Sequence, residues 1–261
     1  MLTKVIISIN HSDGFKLYNM SVILNGNVVG NGRFIFGPDS ENIVTNGLVF
    51  YLDAANTTSY PGSGTIWYDI SGNARNGTLI NGPTFNSAKG GFIVFDGVND
   101  YVNMSSIINP SNNFTADIWF NSSSVSTFQC MLYIRGASST DYLVVTLYNS
   151  KILASKNENT SSSKKSSTNL LSNIWYNVVV TKTSSVITSV YVNGVDQTTS
   201  AVGGEFLGAN VQGFQIANDF ISGGILIPYV GGISNTKLYN RVLTSTEVLQ
   251  NYNAIKGRFG I

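Results

Sequence analysis

Hydrophobic positions recur along the chain in short runs that are separated by clusters of Gly, Asn and Ser. The runs are rich in Val, Ile, Tyr and Phe and recur at a spacing of roughly ten residues, which is typical of an all-β sandwich or barrel. Helical periodicity is almost absent. The clearest predicted strands are Leu48–Leu52, Gly91–Phe95, Phe114–Phe120, Met131–Ile134, Tyr142–Tyr148, Tyr176–Thr181 and Val186–Val192.

Two dipeptides predict tight hairpins between neighbouring strands. Val190 and Val192 alternate with polar or amphipathic positions, and Asn193-Gly194 follows them directly. Asn-Gly tolerates the positive φ angles that a two-residue hairpin turn requires. Asn25-Gly26 separates two apolar runs in the same way, so we expect a second hairpin near the N-terminus.

One segment near the C-terminus departs from the β pattern and predicts a short helix. Thr244-Ser-Thr-Glu247 has the spacing of a capping box, in which the threonine hydroxyl and the glutamate carboxylate each satisfy a free backbone N–H. An apolar stripe follows at helical spacing, and Gly257 is a plausible stop. The stripe consists of Val248, Leu249, Tyr252 and Ile255.

Two regions stand apart from the regular pattern. Residues 1–42 contain two or three possible strands and end near a turn-rich join at Gly37–Ser40, so we predict a separate anchoring or oligomerisation arm. Residues 43–261 then form the main domain. Within it, Ser155–Thr168 is polar, Ser-rich and locally basic, which favours a mobile surface loop.

Composition and charge exclude several classes of partner. The 261 residues carry a formal net charge of +1, which gives no electrostatic reason to expect nucleic acid or an anionic membrane as partner. Cys130 is the single cysteine, so no intrachain disulfide can form. The apolar run Val5–Ile9 is too short for a signal peptide or a membrane span, so we expect a soluble protein that is not exported by an ordinary N-terminal signal.

The inventory of catalytic residues is thin, and we predict that the chain is not an enzyme. His11 is the only histidine and lies in a polar segment of the arm that we interpret as a turn. A glycosidase needs two carboxylates roughly 5–9 Å apart. Close acidic pairs within a strand are almost lacking, and Asp117 stands alone in its predicted strand.

The stretch Phe95-Asp-Gly-Val-Asn-Asp-Tyr-Val102 admits two interpretations. Asp96, Asn99 and Asp100 could contribute to a Ca²⁺ site, but Ca²⁺ takes six to eight oxygens, so Asp69, Asn73, Asn218 or Asp219 would have to converge from other loops. Alternatively the stretch is a polar corner between two strands, in which short Asx side chains accept nearby backbone N–H groups. The turn is the favoured interpretation, and no cofactor is required.

Carbohydrate binding would use exposed aromatic side chains ringed by polar groups. Trp67 and Tyr68 lie in a polar loop, and Tyr60 precedes Pro61, so these three residues are the candidates for stacking on a sugar. The competing interpretation of Trp67 is a side chain that anchors its loop beneath the Ser71–Asn73 turn. Trp119 and Trp175 fall within strand patterns and are predicted to belong to the core.

Several of these motifs together resemble a known family. Gly47–Asn56, Trp67–Asn73 and the Phe95–Val102 stretch, followed by Asn173–Thr181 and Gly231–Glu247, closely resemble laminin-G-like domains of the concanavalin A-like lectin/glucanase superfamily. The resemblance implies two antiparallel sheets in a jelly roll. Members bind carbohydrate or protein or serve as structural decoration, some with Ca²⁺ at the rim of the sandwich.

The tail Asn251–Gly260 narrows the resemblance to one group of these domains. It is similar to the variants found in virion structural proteins of tailed bacteriophages. We therefore expect a non-enzymatic virion protein of the capsid-decoration, neck or tail-fibre type, assembled in the bacterial host cytoplasm. It would contact other virion proteins through residues 1–42 and form a homo-oligomer. The alternative is a carbohydrate-binding receptor module that recognises host surface polysaccharide.

Overall fold

The computed structural model describes most of the chain as β-strands. It covers residues 3–12, 15–24, 27–35, 42–104, 113–135, 142–156, 163–183, 186–200, 213–218, 220–221 and 225–261. Within these ranges lie 22 strands, one short 3₁₀ helix at Ala88–Gly90 and one α-helix, α1, at Ser245–Lys256. No helix in these ranges is long and apolar enough to cross a membrane.

The strands are numbered in chain order. They are β1 (Thr3–Ser12), β2 (Phe15–Leu24), β3 (Asn27–Ile35), β4 (Leu48–Asp53), β5 (Ile66–Trp67), β6 (Gly77–Ile80), β7 (Thr84–Asn86), β8 (Phe92–Asp96), β9 (Tyr101–Met104), β10 (Phe114–Ser122), β11 (Gln129–Arg135), β12 (Tyr142–Tyr148), β13 (Lys151–Lys156), β14 (Lys164–Ser166), β15 (Trp175–Lys182), β16 (Ile187–Val192), β17 (Val195–Asp196), β18 (Thr198–Ser200), β19 (Gly213–Ile216), β20 (Phe220–Ile221), β21 (Ile225–Leu226) and β22 (Val230–Tyr239).

Two large antiparallel sheets form a sandwich. The back sheet has eight strands in the order β17-β16-β15-β10-β22-β8-β7, with β4 also paired to β22. The front sheet has nine strands in the order β18-β14-β13-β12-β11-β19-β9-β6-β5. The predicted all-β, two-sheet antiparallel jelly-roll sandwich with one C-terminal helix is confirmed.

The hydrophobic core lies between the two sheets because alternate side chains of each strand point inward. On β10, Phe114, Ala116, Ile118 and Phe120 belong to this core. The intervening residues Thr115, Asp117, Trp119 and Asn121 therefore lie on the outer face of the back sheet. From the front sheet the core receives Leu132, Ile134, Leu143, Val145, Leu147, Phe214 and Ile216.

The first three strands form a separate antiparallel sheet in the order β1-β2-β3. Leu24 of β2 pairs with Asn27 of β3, and the predicted Asn25-Gly26 hairpin turn lies outside the described ranges. His11 is in β1, where it pairs with Lys16. Its placement in a turn was wrong, because the polar residues from Ser8 onwards continue the ladder instead of ending it.

The helix begins where its capping box predicts. The Thr244 hydroxyl accepts the Glu247 N–H at 3.3 Å, and Glu247 Oε2 accepts the Thr244 N–H at 2.9 Å. The buried face differs from the predicted stripe: Val248, Asn251 and Ile255 are buried, whereas Leu249 is exposed. The helix ends at Lys256, and Gly257 keeps right-handed helical angles and leads into further turns instead of reversing the chain.

The segment Ser155–Thr168 is not simply a surface loop. Ser155 is buried in β13, and Lys164–Ser166 form β14, which pairs with both β13 and β18. The Ser166 hydroxyl is buried and accepts the Ile152 N–H at 3.0 Å. Serine side chains that satisfy one another and the backbone make a polar sequence compatible with a strand. Residues 157–162 lie outside the described ranges.

Candidate functional site

The stretch Phe95–Val102 forms a corner between β8 and β9. Asp96 Oδ1 accepts the Val98 N–H at 2.8 Å, and Asp100 Oδ2 accepts the Asp96 N–H at 3.1 Å. Gly97 has a φ of +79°, which favours glycine. These contacts are those of an Asx-stabilised turn, as the sequence favoured.

The corner alone does not supply a calcium site. It offers two carboxylates, and an oxygen of each already accepts a backbone N–H of the turn. Burial raises the pKa of Asp100. Of the further ligands considered, Asp69 already accepts the N–H groups of Tyr51, Ser71 and Arg75 at 2.8–3.0 Å. Asp219 lies outside the described ranges, within which no group of three or more His, Cys, Asp or Glu residues could hold a metal ion.

The three aromatic candidates for sugar stacking are not equivalent. Trp67 is completely buried in the sandwich core, and Tyr60 is 3% exposed with its ring against Phe85 and its hydroxyl donating to Gly64 O at 2.8 Å. The assignment of Trp67 and Tyr60 to a sugar surface was therefore wrong, because neither ring offers a face to a ligand. Tyr68 is 44% exposed and stays a candidate.

A buried polar cluster lies on the outer face of the back sheet, and its centre is the pair Asp117 and Lys237. These residues are register partners on β10 and β22, their Nζ–Oδ2 distance is 3.4 Å, and both side chains are 0% exposed. Asn177 Nδ2 donates to Asp117 Oδ1 at 2.7 Å, and Asn251 Nδ2 from α1 donates to Oδ2 at 3.2 Å. Lys237 also donates to Asn235 Oδ1 at 2.8 Å.

Burial shifts the pKa values of Lys237 and Tyr51 in and beside this cluster. Burial lowers the pKa of Lys237, and the charges of Asp117 and Asp53 oppose that shift. The Lys237 ammonium lies 5.0 Å from the centre of the Tyr51 ring, a cation–π distance. Burial, reinforced by the Asp53 charge, raises the pKa of Tyr51, so its hydroxyl stays protonated and donates to Asp53 Oδ2 at 2.8 Å.

A second ion pair lies beside this cluster. Arg258 donates from Nη1 and Nη2 to the two carboxylate oxygens of Asp53 at 2.8 and 2.9 Å. Burial opposes ionisation of Asp53, but the hydrogen bonds and charge of Arg258 outweigh it, and the pKa of Asp53 lies below its usual value. Both buried carboxylates thus carry a cationic partner.

Aromatic rings cover the other end of the same face. Trp119 is completely buried and stacks on Tyr252 at 5.6 Å and on Phe259 at 4.6 Å between ring centres. Phe259 also stacks on Trp175 at 4.5 Å. The prediction that Trp119 is a core residue is confirmed, but its partners are the helix and the C-terminal segment instead of the front sheet.

The polar cluster, the Arg258–Asp53 pair and the stacked rings together hold the C-terminal segment to the back sheet. Their geometry differs from that of a glycosidase active site. A glycosidase requires a protonated acid and an ionised carboxylate flanking an accessible sugar. Asp117 is instead buried between a lysine and amides, and Asp53 is bound by an arginine. Sequence reasoning missed the cluster because Asp117, Asn177, Lys237 and Asn251 are far apart along the chain. A polar residue in the apolar run Phe114–Phe120 was the available signal.

A cleft of about 550 Å³ opens beside the cluster on the outer side of β4. Its lining is Asn42, Ile43, Thr45, Leu48, Tyr51, Ile70 and Ser71. The Val44 N–H donates to Asn251 Oδ1 at 2.9 Å, and Gln250 Nε2 donates to Asn42 O at 2.7 Å, so α1 fixes the backbone of one wall. None of the seven lining residues is charged.

Solved structures with a similar fold include several proteins that act on or bind carbohydrate. The chain aligns with Trypanosoma rangeli sialidase in complex with sialic acid at a TM-score of 0.58 and 14% identity, covering 99% of this chain and 46% of that one. It aligns with the receptor binding domain of botulinum neurotoxin type G at 0.56 and 14% identity, covering 79% and 51%. The chain thus spans about half the length of these two structures.

A third similar structure is a single domain. Domain 4 of AbnA, a GH43 extracellular arabinanase from Geobacillus stearothermophilus, was solved in complex with arabinotriose. It aligns at a TM-score of 0.55 and 15% identity, covering 78% of this chain and 98% of that domain. At such identities the likeness shows the fold alone.

Sequence comparison gives the family. None of the curated proteins compared matches the chain significantly. Residues 96–249, more than half of the chain, match the laminin-G-like model that is described as the concanavalin A-like lectin/glucanases superfamily. Together with the two-sheet sandwich and the Asx-stabilised corner, this match shows that the chain belongs to the concanavalin A-like lectin/glucanase superfamily.

Proposed function

We propose that this chain is a non-enzymatic structural protein of a tailed-bacteriophage virion. Residues 1–42 would attach it to other virion proteins and to copies of itself, and the sandwich would be displayed outward. The protein would be assembled into the particle in the host cytoplasm. The phage context rests on the resemblance of the C-terminal segment Asn251–Gly260 to virion proteins.

The observation that carries this proposal is the separate sheet β1-β2-β3. Among the described strands, its register partners are all its own, while the sandwich pairs its strands without it. The outer edges of β1 and β3 therefore offer backbone N–H and C=O groups to another chain. Three strands are the lower limit for a sheet that is stable by itself, so pairing with a neighbouring subunit or virion protein would stabilise this one.

Solution mass tests this arrangement. Light scattering is expected to give an oligomer for the full chain and a monomer for a chain shortened to begin at Asn42, which retains Val44 in its buried position. Circular dichroism checks that the shortened chain keeps its sandwich. A monomer in both cases removes the main support for the arm as an attachment device, and gold labelling of purified particles tests the virion location.

The second candidate function is recognition of carbohydrate on the host surface. Two observations favour it: the superfamily match, and similar folds solved with sialic acid and with arabinotriose. Binding of the full chain to host cells or a glycan array tests it. Incubation with the bound glycans is expected to release no product, in keeping with a binding protein, and release of shorter sugars contradicts the non-enzymatic assignment.

A further inference from the structure

We propose that the cleft beside β4 is a binding site for an uncharged saccharide. This inference rests on the carbohydrate-recognition function proposed above and assigns that function a place and a ligand class. The site is lined from residues 42–45, from β4 and from residues 70–71. It lies on the outer face of the back sheet, and its lining includes neither the Asp96–Asp100 corner nor Trp67 and Tyr60.

The size and lining of the cleft suit a small sugar. Its volume of about 550 Å³ is within the roughly 300–1,000 Å³ of small-molecule sites. Tyr51, Leu48 and Ile70 supply aromatic and apolar surface for the C–H face of a pyranose or furanose ring. Asn42 and Thr45 supply the amide and hydroxyl groups that would meet sugar hydroxyls.

The two polar side chains are free to serve a ligand. Asn42 and Thr45 are exposed, and in the described part of the chain their side chains have no hydrogen-bond partner. Their backbone carbonyls, in contrast, are occupied: Asn42 O accepts Gln250 Nε2, and Thr45 O accepts the Leu48 N–H. The backbone is thus held while the side chains face solvent.

The aromatic residue of the cleft is held rigidly. The Tyr51 N–H donates to Asp69 Oδ1 at 2.9 Å, and its hydroxyl donates to Asp53 at 2.8 Å. The Lys237 ammonium contacts its ring. A ring fixed at both ends loses little conformational freedom when a ligand binds, which favours affinity.

The absence of charge sets the ligand class. None of the lining residues is a cation, and the nearby Lys237 is completely buried and already bonded to Asp117 and Asn235. A sialic acid or uronic acid carboxylate would lose hydration without gaining a charged partner. A neutral sugar has no such cost.

The test uses the full chain on an array that carries neutral and anionic glycans. We expect retention of neutral glycans that changes little with salt concentration, since no ion pair contributes. Thr45→Trp is expected to abolish binding by filling the cleft. Asn42→Ala is expected to weaken it roughly two- to tenfold, the effect of one lost hydrogen bond. Thr57→Trp, also at an exposed threonine but outside the lining, is the control and is expected to bind normally. Tyr68→Ala tests the exposed ring that stays the competing candidate.

The outcomes separate the cleft from the wider function. Binding that survives Thr45→Trp, or that is lost in Tyr68→Ala alone, overturns the assignment of the cleft as the binding site. The carbohydrate-recognition function is left in place by either result. Preference for anionic glycans with a strong salt dependence overturns the ligand class. No retention of any glycan overturns both the cleft and the recognition function, and leaves the virion role to the solution-mass experiment. Thermal unfolding of each variant shows that it is folded.

Discussion

Arg258 holds the C-terminal segment to β4 through both oxygens of Asp53. The Nη1–Oδ1 and Nη2–Oδ2 distances are 2.8 and 2.9 Å, between residues that are 205 positions apart in the sequence. Arg258 Nη1 also donates to Ser234 Oγ at 3.2 Å, which connects the pair to β22. The segment after α1 is thereby joined to β4 and β22, which are the first and the last strand of the back sheet in chain order.

Loss of the arginine is expected to destabilise the fold. Arg258→Ala leaves the buried Asp53 carboxylate without its cation, and we expect the free energy of unfolding to fall by about 2–4 kcal/mol. Arg258→Lys keeps the charge but cannot reproduce the two parallel hydrogen bonds, so its loss is expected to be smaller. Urea titration of the three proteins measures this order. Equal stability of Arg258→Ala and the unaltered chain would contradict a structural role.

The buried charges of Asp117 and Lys237 are expected to be energetically coupled. Lys237→Met leaves Asp117 buried without its cation and is expected to cost about 3–5 kcal/mol. The double variant Asp117→Asn, Lys237→Met removes both charges and is expected to be more stable than Lys237→Met alone. Urea titration with a double-mutant cycle gives the coupling free energy. A double variant that is no more stable than Lys237→Met would contradict this prediction.

The pairing of Glu247 with Arg241 at the start of α1 predicts that the stability of the fold depends on pH. Hydrogen bonds from Arg241 lower the pKa of Glu247 from 4.5 to about 2. Because the folded-state pKa is depressed, the contribution is present above the unfolded-state value and is lost as pH falls from 4.5 towards 2. The stability difference between the unaltered chain and Glu247→Gln, at most about 1 kcal/mol for such a surface pair, should shrink across this window. A difference that grows on acidification would contradict the assignment.

Gly231 is expected to tolerate no side chain. Its φ is +137°, and a Cβ there would lie 2.1 Å from Asn121 O, a backbone atom of β10. Gly64 is the matched control, since its φ is +95° but a Cβ would meet nothing within 4 Å. Gly231→Ala is therefore expected to cost at least about 2 kcal/mol more than Gly64→Ala. Thermal unfolding compares the two, and similar losses would show that the strand spacing adapts.

Phe259 should protect two tryptophans from water. Phe259→Ala removes a ring stacked on Trp119 and Trp175, and we expect a loss of about 3 kcal/mol together with a red shift of tryptophan fluorescence. Ile261→Ala is the control, because Ile261 is 45% exposed and should change neither quantity. An unshifted emission spectrum in Phe259→Ala would mean that other residues exclude water from the indoles.

Features with short sequence separation were predictable from the sequence. The capping box joins Thr244 to Glu247, three residues apart, and it formed as expected. Asn193 and Gly194 have φ angles of +52° and +77° and connect β16 to β17. Both depend on backbone and side-chain groups within one turn, so no knowledge of the remaining fold is needed to foresee them.

The candidate site was less accessible to sequence reasoning. Trp67 and Tyr68 are neighbours in a polar loop, yet one is 0% and the other 44% exposed. Trp67 is the last residue of β5, a strand of only two residues whose partner, β6, begins ten residues later, and Tyr68 lies just beyond its end. The cleft likewise combines residues 42–45 with β4 and Ile70, and its wall depends on Gln250 and Asn251 of the distant helix.

The sequence by itself determined the all-β class, the turns and the capped helix, because alternation and local hydrogen bonds depend on residues that are close along the chain. Only the tertiary structure decided what Asp117 does. In the sequence it is a lone carboxylate in an apolar run, whereas in the fold β22 brings it Lys237, β15 brings Asn177 and α1 brings Asn251. Burial and ion pairing depend on which distant strands become neighbours, and a carboxylate at this position is tolerated only because those neighbours compensate its lost hydration.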